Sequence, residues 1–238
     1  MKFKELETEL TEKIPRTHNV TSFRFDGRGE VSFRPGQFFQ LFLDWKGEEL
    51  DHWFSFSSSP TEKGWFEFTK KLSGSAYSDA LRALEPGDRV RVKYPMGKFI
   101  YEGEPGRAAF LSGGIGITPI RSICRWLTDT GSKADVRVLY SARTPGDFVF
   151  LDDFREMMER NPNLSLVLTL TDEDPPEELE CRAGRICSEM VREEIPDYRE
   201  RTFFVCGPPG MVAGMIGMLK EELNLPPEQV ISEDFKGY

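Results

Sequence analysis

The hydrophobic period of the chain changes once, near residue 103, and this change restricts it to two differently built parts. Up to that point apolar and polar residues alternate in short runs: Phe23-Arg24-Phe25, Phe38-Phe39-Gln40-Leu41-Phe42-Leu43, Trp65-Phe66-Glu67-Phe68-Thr69 and Val90-Arg91-Val92-Lys93-Tyr94. Successive strand side chains point to opposite faces, so a period of two marks strands with one face buried. Gly, Pro, Asp and Ser separate the runs, which predicts a small antiparallel β-barrel. One helix interrupts it, Ser75 to Leu84, and Glu85-Pro86-Gly87-Asp88 stops that helix.

Tyr101-Glu102-Gly103-Glu104-Pro105-Gly106 reads as the linker, and strands then alternate with helices. Expected strands are 108–112, 136–141, 164–170 and 202–206; expected helices are 119–130, 151–160, 188–195 and 208–223. That order predicts an α/β domain, a parallel sheet with helices on both faces. The domains are expected over residues 1–102 and 107–238. The acidic, proline-containing stretch from Asp172 to Glu180 reads as a solvated loop.

A chain of 238 residues, 39% hydrophobic and 30% charged, has material for two packed cores. No apolar run approaches the roughly 20 residues that cross a bilayer. The charged start Met1-Lys2-Phe3-Lys4-Glu5 lacks a signal-peptide pattern, so a cytoplasmic location and no membrane partner are expected. Cys124, Cys181, Cys187 and Cys206 are too scattered for a metal or iron–sulfur set. The net charge of −9 arises wholly after residue 103, where 24 acidic residues face 15 basic ones, which argues against nucleic acid as a partner.

The most informative segment is Leu111-Ser112-Gly113-Gly114-Ile115-Gly116-Ile117-Thr118-Pro119. It leaves a buried strand, turns on Gly113, Gly114 and Gly116, and enters a helix with Pro119 in its first turn. Glycines let backbone amides approach a ligand, and a helix start attracts a pyrophosphate. The spacing is not the usual G-x-G-x-x-G. A second glycine turn, Cys206-Gly207-Pro208, follows the last strand, and ligands of open α/β sheets bind beyond such strand ends.

In the first part, His52-Trp53-Phe54-Ser55-Phe56-Ser57 alternates rings with hydroxyls, Phe54 and Phe56 on one face, Ser55 and Ser57 on the other. Such a strand suits a flat heterocycle, with stacking surface and edge partners together. Lys71, Gly74, Ser75 and Ser78 cluster before the helix, an arrangement suited to a phosphate.

These segments, in this order, resemble the ferredoxin–NADP reductase superfamily, as do Pro35-Gly36-Gln37-Phe38 and the ending Glu233-Asp234-Phe235-Lys236-Gly237-Tyr238. The resemblance implies a Greek-key barrel holding FAD, with FMN the lesser alternative, and a second domain binding NADPH or NADH. It gives Ser55 the flavin N5 edge and Phe54 the flavin face. His52 stands where the family has an arginine on a flavin phosphate. The resemblance places Cys206 and Glu233 at the nicotinamide, with Phe235 or Tyr238 on a tail that reaches the flavin. The implied activity passes hydride from NAD(P)H to flavin and electrons onward to a carrier such as ferredoxin or flavodoxin. The alternatives are an electron-transfer subunit of a larger oxidoreductase and a ferric or flavin reductase.

Two finer expectations concern specificity. Arg89, Arg91 and Lys93 share one strand face, which is either an ordinary solvated face or a surface that steers an acidic carrier protein. Ser141 and Arg143, at the tip of the second strand of the sheet, supply the hydroxyl and guanidinium that a 2′-phosphate favours.

Overall fold

The computed structural model describes residues 3–29, 31–104 and 106–235. Two compact units result: Met1–Glu102 with Thr118–Trp126, and Gly103–Ile117 with Leu127–Tyr238. Among the described residues no helix is long and apolar enough to cross a membrane.

The first unit is a curled antiparallel sheet of β1 (Lys4–Pro15), β2 (Val20–Asp26), β3 (Phe38–Trp45), β4 (Glu48–Ser55), β5 (Trp65–Lys71) and β6 (Arg89–Met96), with spatial order β4-β3-β6-β1-β2-β5. Strand β1 makes the curl possible. Its residues 4–9 pair with β6 and 10–15 with β2, and the register slips by a bulge between Leu10 and Glu12, where it changes partner. The inward residues of the alternation, among them Phe23, Phe25, Phe39, Leu41, Phe54, Phe66 and Phe68, form the core. Helix α1 (Ala76–Ala83) presents Ala80 and Leu81 to this core.

The register bears on the two readings of Arg89, Arg91 and Lys93 and favours the ordinary solvated face. Arg89, Arg91 and Lys93 lie directly opposite Glu9, Glu7 and Glu5 of β1. Arg91 also pairs with Glu49 at 2.9 Å and stacks on Phe42. Period two reveals a shared face, but only strand pairing reveals what shares it, and here acids offset the bases one for one.

The second unit is a parallel sheet of β7 (Arg107–Gly113), β8 (Asp135–Ala142), β9 (Leu164–Leu170), β10 (Arg182–Ala183), β11 (Thr202–Gly207) and β12 (Val230–Asp234), with spatial order β10-β9-β8-β7-β11-β12. Its helical segments are α2 (Ile117–Asp129), whose middle belongs to the first unit, α3 (Leu151–Arg160), α4 (Ser188–Glu194) and α5 (Pro209–Gly217). Ala109, Leu111, Leu139, Phe203 and Val205 of one sheet face pack with residues of α4 and α5. On the other face Phe110 stacks on Phe204, and Tyr140 meets Phe148 edge-on at the entry to α3. The helix expected over 208–223 is α5 followed by one π-helical turn, Met218–Glu222. Residues Lys236, Gly237 and Tyr238 lie outside the described residues, so the expectation for Tyr238 does too.

Candidate functional site

The curled sheet of the first unit ends in two edge strands, β4 and β5, and these meet in a seam. Phe54 stacks on Phe68 across it, with ring centroids 4.1 Å apart. The chain leaving β4 crosses from one edge to the other. Phe56 N–H donates to Gln37 O at 3.0 Å, and Ser57 and Ser58 N–H donate to Glu67 O at 2.8 and 3.4 Å. Arg121, also in this unit, fastens the segment from outside, donating to Ser57 O at 3.0 Å and to the Glu62 carboxylate at 2.5 and 3.0 Å.

The sequence-derived residues divide at this seam. Trp53 is the exposed ring, 54% accessible, whereas Phe54 and Ser55 are buried. His52 lies 5.0 Å from the Phe54 ring and 5.5 Å from that of Tyr77. Burial, then Lys70, lowers the His52 pKa against an opposing pull from Asp51, so at neutral pH it offers a ring and no positive charge. The buried cation here is Lys70, its own pKa lowered by burial, with Nζ 5.8 Å from the Phe54 centroid. Lys71 ends β5 at the surface. Ser75 caps α1, accepting from Ser78 N–H at 3.2 Å, and Ser78 is fully buried among the Ser73 and Ser75 hydroxyls. Gly74 stands before this helix start with nothing within 4 Å of where a Cβ would be.

In the second unit the glycines of the turn after β7 have separate physical reasons. A Cβ on Gly113 would sit 2.1 Å from Met211 Sδ, and one on Gly116 would sit 2.3 Å from Cys206 O and 2.6 Å from Gly207 Cα. Those two glycines let the turns after β7 and β11 pack together. Gly114 alone has open space, and its φ of +53° is in the left-handed region that favours glycine. The helix starts there as a 3₁₀ turn, Gly114–Gly116, and continues into α2 with Thr118 buried and Pro119 in the first turn. Gly207 ends β11, and Pro208 caps α5, which starts at Pro209.

Parallel register sets Tyr140, Ser112, Cys206 and Glu233 in one row on one face of the sheet, near its carboxyl end. Burial, with Glu233 and Asp234, pushes the Cys206 thiol well up, so it stays a neutral thiol and not a nucleophile. Ser112 went unnoticed in the sequence. It is fully buried and its Oγ has no hydrogen-bond partner. A buried hydroxyl without a partner is costly, so Ser112→Ala should raise stability by about 1 kcal/mol; a fall in Tm would show that the hydroxyl is satisfied after all. Ser141 is buried at the end of β8, and Arg143 beyond it is 77% accessible on its side chain, its Nε 4.0 Å from Asp172.

Two family models match in tandem: the oxidoreductase FAD-binding domain over residues 7–101 and the oxidoreductase NAD-binding domain over residues 110–216. The chain belongs to the ferredoxin–NADP reductase superfamily. Its curated relatives in this superfamily include the glycine betaine monooxygenase reductase subunit of Chromohalobacter salexigens, 32% identical over 87% of this chain and 58% of the relative. The propane 2-monooxygenase reductase component of Rhodococcus jostii is 29% identical over 97% of this chain and 64% of the relative. The chain therefore spans less than two thirds of either. In fold it is similar to the Amycolatopsis cytochrome P450 reductase GcoB (TM-score 0.85, 24% identity, 98% of this chain and 70% of that one). It is likewise similar to a ferredoxin NADP+ reductase from Neisseria gonorrhoeae with bound FAD and NADP (TM-score 0.82, 19% identity, 97% and 98%).

The matches give the chain an oxidoreductase FAD-binding domain followed by an oxidoreductase NAD-binding domain. The residues present fit both groups. Each unit has a glycine at a helix start with room where a side chain would be, Gly74 in the first and Gly114 and Gly210 in the second. A helix start of that kind accepts phosphate through backbone N–H groups.

Proposed function

We propose that this chain takes hydride from NAD(P)H onto FAD and hands electrons singly to a protein partner, as the reductase of a cytoplasmic multi-component oxygenase or a similar carrier-fed system. The observation that carries this reading is the tandem of matched domains, FAD-binding over residues 7–101 and NAD-binding over residues 110–216, with Gly74 and Gly114 leaving a helix start uncovered in each unit. The flavin, when bound, supplies the conversion from a two-electron donor to one-electron steps. The protein's part is to hold and orient. Ser55 and the ring of Trp53 or Phe54 serve the heterocycle, and Lys71, Gly74 and Ser75 serve its phosphates. Gly113, Gly114, Gly116, Thr118, Pro119, Gly207 and Pro208 form the nucleotide's bed, with Cys206, Glu233 and Phe235 at the nicotinamide. The names of the monooxygenase reductase relatives support the oxygenase partner over a free ferredoxin or flavodoxin. Purified protein should release one FAD per chain on acid treatment and lose its yellow colour within one turnover on mixing with NADH or NADPH. Protein that takes up no flavin on reconstitution ends this reading.

The nucleotide choice turns on Arg143. We assign it to a 2′-phosphate, with Ser141 beside it. Arg143→Ala should then raise the KM for NADPH by about 10- to 150-fold, the loss of one charge-assisted contact of roughly 1.5–3 kcal/mol. The KM for NADH should hardly move. Asp172, 4.0 Å from Arg143, competes with the phosphate, so Asp172→Asn should favour NADPH. Equal losses with both nucleotides would give Arg143 to the pyrophosphate or to the fold.

A further inference from the structure

A side-chain circuit on the outer face of the first unit has no part in the account so far. Arg16 Nε donates to Ser22 Oγ at 2.9 Å, and Ser22 Oγ lies 2.6 Å from Thr69 Oγ1. Thr69 Oγ1 donates to Ser57 Oγ at 2.9 Å, and Ser57 Oγ donates to Glu67 Oε1 at 3.0 Å. Arg16 Nη2 closes the circuit on the Glu67 carboxylate at 3.4 Å, and Arg24 Nη2 reaches it at 3.1 Å. The donors leave no choice of direction. Arginine can only donate and a carboxylate only accept, so every hydroxyl in between passes its hydrogen toward Glu67. Hydrogen bonds aligned head to tail reinforce one another. Glu67 also holds the same segment by its backbone, accepting from Ser57 and Ser58 N–H and donating its own N–H to Ser58 Oγ at 2.9 Å.

A carboxylate with a side chain 1% exposed costs much desolvation, and replacing such groups by apolar ones is often neutral or stabilising. Stability alone is therefore a poor reason for its presence. We infer that Glu67 is a positioning residue: it fixes the place and hydrogen-bond polarity of the serine segment that carries Ser55 to the flavin ring. Ser57 has its hydrogen committed to Glu67 and none to give a ring nitrogen, so its task is to pin the segment. This rests on the FAD-binding reading given above, and the test separates the two.

Glu67→Gln and Ser57→Ala are compared with the wild-type chain for FAD affinity, for the absorption and circular dichroism of bound FAD, and for Tm without flavin. Both variants should weaken FAD by 10-fold or more and shift the bound-flavin spectrum. Ser57→Ala leaves the Glu67 ion pairs intact and should lose less Tm than Glu67→Gln, its cost being the unpaired Thr69 hydroxyl and the hydrogen bond lost at Glu67, so it remains informative if Glu67→Gln does not fold. An FAD affinity within twofold of wild type and an unchanged spectrum in Ser57→Ala would overturn the inference, whatever the Tm of Glu67→Gln. A wild-type chain that binds no FAD would instead remove the functional reading beneath it.

Discussion

Gly116→Ala should push the two glycine turns of the nucleotide domain apart and cost both stability and nucleotide affinity. The added Cβ would lie 2.3 Å from Cys206 O and 2.6 Å from Gly207 Cα, backbone atoms that cannot rotate away. Overpacking of this kind costs about 1–3 kcal/mol, and a backbone neighbour puts it at the upper end. Both turns must shift, so NAD(P)H affinity should fall by about 10-fold or more, or ~1.4 kcal/mol. Gly114→Ala is the informative contrast. Its Cβ meets nothing, and the strain is that of φ +53°, about 1–2 kcal/mol. Tm without nucleotide and titration with each nucleotide measure both variants. A Gly116→Ala protein with wild-type Tm and affinity would show that the turns are not packed as described.

Arg201→Met should cost about 3 kcal/mol, the lower end for breaking a buried ionic cluster, because the two carboxylates left behind are part-exposed. Arg201 is 1% exposed, and its donors are all engaged. Nε reaches Asp197 Oδ1 at 2.7 Å; Nη1 reaches Ala108 O at 3.2 Å and Asp135 O at 2.9 Å; Nη2 reaches the Asp135 and Asp197 carboxylates at 2.7 and 2.9 Å. The residue thus ties together the amino ends of β7, β8 and β11, opposite the end that carries the glycine turns. Lysine has no planar fork to replace these contacts, so Arg201→Lys should recover only part of the loss. The Arg201 guanidinium holds the Asp197 carboxyl below its ordinary range. That contribution is fully present above the unfolded carboxyl's pKa of about 3.9 and is lost as pH falls through the lower folded value. Acid titration of Tm should therefore show a stability loss below about pH 4 that Arg201→Met lacks. Where the variant is folded, its nucleotide KM should match wild type. A Tm within a degree or two of wild type would refute the clamp.

Much of the architecture was legible because burial writes itself into sequence at two periods. The alternation around Phe23, Phe39, Phe66 and Val92 marks inward strand faces, and the span Ser75 to Leu84 brackets α1 within a residue at each end. Glu67 shows the limit. In Trp65-Phe66-Glu67-Phe68 it reads as a solvent-facing residue, and it does lie on the outer face. It is buried because the 57–58 segment, ten residues back and beyond an intervening turn, lies over it. The charges of β6 show the same limit: period two leaves Arg89, Arg91 and Lys93 open between a solvated and a steering face until Glu9, Glu7 and Glu5 are seen in register with them.

What the sequence determined by itself is whatever depends on neighbours along the chain: the change of period near residue 103, the order of strands and helices, and the places where glycine frees the backbone at a helix start. These are local, because side-chain direction and backbone freedom follow from a few consecutive residues. Packing in three dimensions sets which of those glycines faces open space and which faces another turn, that Ser112, Cys206 and Glu233 stand in one row, and that Glu67 ends a one-way chain of hydroxyls. Each of these depends on strand register and on segments tens of residues apart meeting in space. Such meetings are set by packing the whole core, and no window of the sequence contains both partners.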